Sequence, residues 1–405
     1  MKKYLYSALI ITCLAAVTLI VRASTLKQQA IPDLKERDIK VALDGEWLNT
    51  KAAVATLMDK IKVNPNDNKS KLQLAMAYIQ EGRTTGDHNY YDEASIKLLN
   101  QILVAEPQNF DAQCCKATVL LSQHHFQDGL TIAAEAVKIN PNSAFVYGIL
   151  CDANLELGHY DEAVQMADKM VAMRPDLRSY TRVSYLREIF GDYKGAIEAM
   201  EMATKSGYPG LEQTEWTRCQ LGLLYENIGD TTMAAQQYKK ALSARENYPY
   251  ALMGIGRLEK KKKKYNTAIT YFEQAQKNIK DNAIGDELTD LYALNGETEK
   301  SAQNAQKVID QLKEHANSED NNPDEGHYAD KELAHAYLKM NDTQNALASA
   351  IREYNRRPEN IEANETLAWC YYKSGDTANA KKYMSVALRT NSLKPELLER
   401  AKMVN

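Results

Sequence analysis

Proline and glycine are scarce, at 10 and 18 among 405 residues, which suits a chain of helices. An excess of positive charge is also missing. The formal charge is −4, and taking away residues 1–23, with Lys2, Lys3 and Arg22, leaves −7. A mildly acidic body offers no electrostatic basis for holding nucleic acid, and none is expected as a partner. There is no nucleotide-binding glycine loop, zinc-protease helix motif or nucleophile elbow, so neither an enzyme nor a cofactor is expected. Asp320, Asn322 and Asp324 alternate oxygen ligands as a calcium loop does. However, Gly326 and Glu332 each fall one place late for that motif and Pro323 interrupts it, which leaves a plain acidic loop. Beyond Cys13 the cysteines number five, an odd count with no staple spacing. Cys114 and Cys115 are adjacent, which a disulfide within a helix does not tolerate. They read as small buried hydrophobes, and no metal site is expected.

What the chain does have is 44% hydrophobic and 26% charged residues, enough to bury a core. At the N-terminus Lys2 and Lys3 precede an apolar run from Tyr4 to Val21, and no acidic residue appears before Asp33. Val21-Arg22-Ala23 sets up a cut before Ser24. Residues 1–23 therefore read as a signal peptide or an N-terminal membrane anchor. Cys13 adds a lipid-anchored alternative. All three readings put the body outside the cytoplasm, periplasmic or attached to the cell envelope, with membrane contact only through this segment. Residues 24–46 read as a tether.

One short pattern then recurs: a helix-ending residue, a spacer, an aromatic or Thr, two more residues, and a small residue. It is spelled GHYDEA from Gly158, GDYKGA from Gly191, GDTTMA from Gly229, KKYNTA from Lys263 and GETEKS from Gly296. It continues as NDTQNA from Asn341 and GDTANA from Gly375, with looser copies from Asn89 and His124. The steps lie near 34 residues, the period of helix–turn–helix repeats. Gly or Asn closes the first helix because it accepts the left-handed conformation. The small residue five places later lets the second helix come close, and Pro107, Pro141 and Pro175 lie beyond the second helix and stop it.

These residues resemble the tetratricopeptide repeat family. Leu221, Gly222, Tyr225, Ala234, Tyr238 and Ala241 match its motif in one copy. Leu333, Ala334, Tyr337, Ala346 and Pro358 match in a second, and Leu367, Ala368, Tyr371, Ala380 and Ala387 in a third. The resemblance implies an all-α right-handed solenoid over residues 47–393, with a capping helix in 394–405. Nine repeats are expected to start near Asn68, Phe110, Ala144, Leu177, Glu215, Pro249, Asn282, His327 and Ile361, after a lone helix from Leu48 to Val63. Two junctions are lengthened, at Ser206–Gln213 and at His315–Gly326, the latter polar, acidic and exposed.

In that family the first helix of each repeat lines a concave face that grips a partner's extended peptide or helix. Helical spacing then assigns Arg178 and Tyr185 to the face, together with Trp216, Tyr250 and Arg257. Tyr328, Lys331 and His335 follow from the eighth repeat, and Trp369 and Tyr372 from the ninth. Clustered Lys and Asn for a terminal carboxylate are lacking. His124 and His125 are consecutive at an inter-helix turn and read as surface residues, and Lys260–Lys264 as a solvated helix end. The leading reading is a non-catalytic exported scaffold with an extended, aromatic-anchored groove for an unidentified protein or peptide. The alternative is a module that stacks groove aromatics, drawn from 24 tyrosines, on a saccharide or similar small ligand.

Overall fold

The computed structural model describes residues 31–37, 44–316 and 326–404. Among them are twenty helices and no strand. Helix α1 (Asp44–Val63) stands alone. The nine pairs begin with α2/α3 (Asn68–Thr85, His88–Ala105), α4/α5 (Phe110–Ser122, Phe126–Ile139) and α6/α7 (Ala144–Leu157, Tyr160–Met173). Next come α8/α9 (Leu177–Ile189, Tyr193–Ser206), α10/α11 (Glu212–Asn227, Thr231–Ala244) and α12/α13 (Pro249–Lys261, Tyr265–Gln276). The last three are α14/α15 (Asn282–Leu294, Thr298–Ala316), α16/α17 (Asp330–Lys339, Thr343–Arg356) and α18/α19 (Ile361–Lys373, Thr377–Ala387), and α20 (Pro395–Val404) closes the chain.

Local chemistry explains where many of the helices begin and end. Asp67, Asn109, Asp192, Asp230, Asp342, Asn360 and Asp376 accept backbone N–H bonds at helix starts, each satisfying a donor the helix leaves open. Inside a pair the turn residue is left-handed, as at Gly158 (φ 88°) and Gly375 (φ 88°). Where the motif carries His124, Lys263 or Asn341, φ is still positive, at 64°, 58° and 57°. Small residues do the packing expected of them. Ala234 and Ala241 are fully buried, and a Cβ on Gly222 would come 2.5 Å from the Tyr238 ring. The cysteines Cys114, Cys115, Cys151, Cys219 and Cys370 are free and buried. Burial pushes the thiols of Cys114, Cys115, Cys151 and Cys370 up to about 12.

The repeats wind so tightly that the chain meets itself. Arg245 bonds Glu46 across 199 residues (3.1 Å), and Arg357 bonds Glu156 across 201 (2.6 Å). The Lys280 N–H donates to the Thr85 carbonyl (3.0 Å), and the Tyr328 N–H to the Gln123 carbonyl (3.1 Å). The Ile361 N–H donates to the Tyr160 hydroxyl (3.0 Å), and Arg389 to the Gly158 carbonyl (2.6 Å). Most of these contacts join the inner turn of an early repeat to a junction between two late ones, while Arg245 reaches Glu46 on α1 and Arg389 lies between α19 and α20. About five and a half repeats therefore complete one superhelical turn, and the second turn lies directly on the first. Gly158 is required twice over, because a Cβ there would sit 2.3 Å from the Glu359 carbonyl carbon.

Three expectations are corrected. Residues 31–37 do not hang free as part of a tether. Tyr78 and Tyr90 donate to the carbonyls of Pro32 and Asp33, and Arg37 is buried against Glu81 (2.9 Å) and Glu46 (2.8 Å). His124 and His125 are not surface turn residues. His125 is buried, stacks on Tyr328 with ring centroids 4.0 Å apart and bonds the Gly326 carbonyl, while His124 bonds the Tyr328 carbonyl (2.8 Å). The reason is that this inter-helix turn is the surface onto which the second superhelical turn stacks. The lysine run is not simply solvated, since Lys260, Lys261 and Lys262 pair with Glu287, Glu226 and Glu259. Residues 1–23 and the centre of the acidic loop, 317–325, lie outside the described residues.

Candidate functional site

Because the turns stack, the concave face is a lumen rather than an open groove. The first helices of early repeats line one side of it, and α16 and α18 contribute from the second turn. A cavity of about 670 Å³ is bounded by Met76, Ile79, Arg83, Phe145, Arg178 and Tyr185 from the first turn and by Lys331, Arg357 and Glu362 from the second. A cavity of about 370 Å³ adjoins it, with Tyr185 and Trp216 in its wall beside Leu155, Leu223 and Leu224. A third, about 470 Å³, lies between Tyr250, His327, Lys331 and His335. Met76 (53% exposed), Phe145 (38%) and Tyr185 (40%) leave apolar surface uncovered inside the molecule.

The lumen is electrostatically crowded. Arg182 holds Asp152 (2.8 Å), Lys331 holds Glu362 (2.9 Å) and Arg357 holds Glu156 (2.6 Å). The Lys331 and Lys394 ammonium groups keep the Glu362 carboxyl well below the usual range. The Glu362 charge, followed by burial, drives the Tyr185 phenol well above its ordinary value. Burial, with Arg83 and Arg182 nearby, depresses Arg178. His335 is held to about 3 by burial, with Arg400 and Lys331 adding to it, and its Nε2 lies 3.3 Å from the Thr366 hydroxyl. Among the described residues no group of His, Cys, Asp and Glu could hold a metal ion.

Six of the ten residues assigned to the face from sequence line these cavities: Arg178, Tyr185, Trp216, Tyr250, Lys331 and His335. Four have other neighbours. Arg257 lies between Glu226 (3.2 Å) and the Tyr238 hydroxyl (3.1 Å), where it neutralises a buried carboxylate of the preceding repeat pair. Tyr328 precedes α16 and is sandwiched between His125 and the Arg356 guanidinium, 4.3 Å from its ring centroid, as part of the contact between turns. Trp369 and Tyr372 stack on one another at 5.2 Å, and Arg400 of the capping helix lies 5.5 Å from the Trp369 ring. Trp216 is partly buried against the core, while Tyr208 (78% exposed) and Leu211 of the lengthened junction face solvent. Sequence reasoning passed over Arg83, Arg182, Glu156 and Glu362. Arg182 was within reach, one helical turn after Arg178 on the same face.

A lumen walled by the first helices of stacked helix pairs defines a solenoid of helix–turn–helix repeats. The chain carries tetratricopeptide repeats: that family's models match residues 217–248 and 249–282 and, as a second model, 331–395. No curated protein matches it in sequence. Among solved structures it is similar to the IFIT1 monomeric mutant with Gppp-AAAA, at 13% identity over 85% of this chain and 78% of that one, with a TM-score of 0.53. It is also similar to pilF of Pseudomonas aeruginosa (17% identity, 50% of this chain and 91% of that one, TM-score 0.40). A thermophilic TPR protein of Thermus thermophilus is comparable (20%, 44% and 91%, TM-score 0.39). Repeats of this family mediate protein–protein interaction.

Proposed function

We propose that this chain is a non-catalytic scaffold that takes an extended segment of a protein partner into its lumen. It works outside the cytoplasm, delivered or anchored by residues 4–21. The observation that carries the reading is the exposed apolar surface of Met76, Phe145 and Tyr185 on the concave face, spread over repeats one, three and four. Apolar groups rimmed by paired charges are the usual anchors of a peptide interface. The sharing of one cavity by Tyr185 and Trp216 supports a second reading, a small ligand such as a saccharide stacked between two rings. A photoreactive phenylalanine at Tyr185 or Phe145 in the full chain, compared with one at the outward Tyr208, separates them. Cross-links to a protein from the two lumen positions but not from Tyr208 are expected. Equal cross-linking from all three contradicts the lumen. No protein cross-link, together with calorimetric binding of oligosaccharides that Trp216→Ala abolishes, moves the function to the small ligand.

A further inference from the structure

The lumen's charges are mostly cancelled within the molecule, and the exceptions are informative. Arg182, Lys331 and Arg357 each hold a carboxylate. Arg83 on α2 and Arg178 on α8 do not: among the described residues neither side chain lies within ion-pair distance of an Asp or Glu. Both are exposed into the 670 Å³ cavity, and they are close enough that Arg83 opposes the charge on Arg178. Two like charges facing one cavity repel, and an incoming anion relieves both. Among the described residues the cavity's one unpaired carboxylate is Glu332 on α16, in the opposite turn, and one of its oxygens lacks a hydrogen-bond partner. An anion is thus drawn to the repeat-one and repeat-four side and kept from the repeat-eight side.

Resting on the proposed lumen reading, we infer that the partner segment is acidic, with an Asp or Glu carboxylate seated between Arg83 and Arg178 and a large apolar side chain in the adjoining Tyr185–Trp216 cavity. The spacing of the two groups follows from α8. Arg178 and Tyr185 are seven residues apart, about 10 Å along a helix axis. An extended chain covers that distance in about three residues. The segment therefore carries its apolar anchor and its carboxylate three positions apart. Guanidinium groups suit this task because they bind a carboxylate in a fixed planar geometry.

The test uses the full chain and capped peptides in which one Trp and one Glu are separated by zero to five residues in a Gly-Ser background. Binding is expected to be strongest with two intervening residues, and Glu→Gln in the peptide to weaken it about tenfold, the worth of a charge-assisted hydrogen bond. Arg83→Gln with Arg178→Gln should erase the Glu-over-Gln preference and keep the dependence on Trp. Trp216→Ala should do the reverse. Binding indifferent to Glu or to spacing, or a preference that survives the double substitution, overturns this inference and leaves the lumen reading standing. If no peptide binds, both fall. A single-stranded RNA oligonucleotide that binds more tightly than any peptide, and is lost with the same two arginines, replaces the acidic segment with a nucleic acid.

Discussion

At the scale of single residues, two histidines have strongly depressed ionisation: His124, where the turns meet, and His335 on α16. Burial holds the His124 imidazole at about 4, with Lys331 and Arg357 adding to the effect and the Tyr328 carbonyl and Glu353 opposing it. His335 is held at about 3 by burial, with Arg400, Lys331 and Lys339 adding to it and Glu362 opposing. In the unfolded chain both titrate near 6.5. Between that value and their folded values the unfolded state binds the extra protons, so stability falls as pH falls from 7 toward 4. Thermal unfolding at pH 7 and pH 5 reads this directly. The wild type is expected to lose stability across the interval, and His124→Asn with His335→Gln to lose less of it. Asn is chosen at 124 because it tolerates the positive φ. Equal slopes in both proteins would place the acid sensitivity on the carboxylates instead.

At the scale of elements, two glycines with one local role differ in what surrounds them. Gly158 and Gly375 both end a first helix at φ 88°. Nothing lies within 4 Å of a Cβ on Gly375, whereas one on Gly158 would strike the Glu359 backbone. Alanine at 375 is expected to cost only the backbone strain, about 1–2 kcal/mol. Alanine at 158 adds a clash between turns and should cost at least about 1–3 kcal/mol more, as other overpacked sites do. Denaturant midpoints of the two variants test this, and equal losses would mean that the turns do not touch at Glu359.

The same comparison explains what could be read in advance. Helix starts were legible because Asp, Asn, Gly and Ala recur at fixed places in most of the repeats. The observed pairs begin at the expected residues except for α10 and α16, each displaced three places next to a lengthened junction. Tyr328 was misplaced because the spacing rule took it as helical, whereas α16 begins at Asp330. Trp369 obeys the rule and is claimed by the capping helix, whose Arg400 no repeat motif announces.

At the scale of the whole molecule, the closure of the superhelix was the illegible part. It depends on a small rotation per repeat accumulated over about two hundred residues. Many of its contacts use backbone carbonyls and amides, which carry no signature in the side chains. The closure nevertheless decides the function proposed here, because it turns an open groove into a lumen. It also ties α1 and residues 31–37 into the solenoid, through Arg37 and Arg245 meeting on Glu46. The amides of Lys280, Tyr328 and Ile361 report on it most directly. All three precede or begin a helix and lack an intrahelical acceptor, and each bonds across the two turns, to the Thr85 carbonyl, the Gln123 carbonyl and the Tyr160 hydroxyl. Hydrogen exchange resolved at these three amides is the decisive measurement. Stacked turns require slow exchange at all three, lost together when Arg357→Ala removes a link between the turns. Exchange at the rate of exposed loops, with the helices around them still protected, would mean that the solenoid is open and that the lumen does not exist.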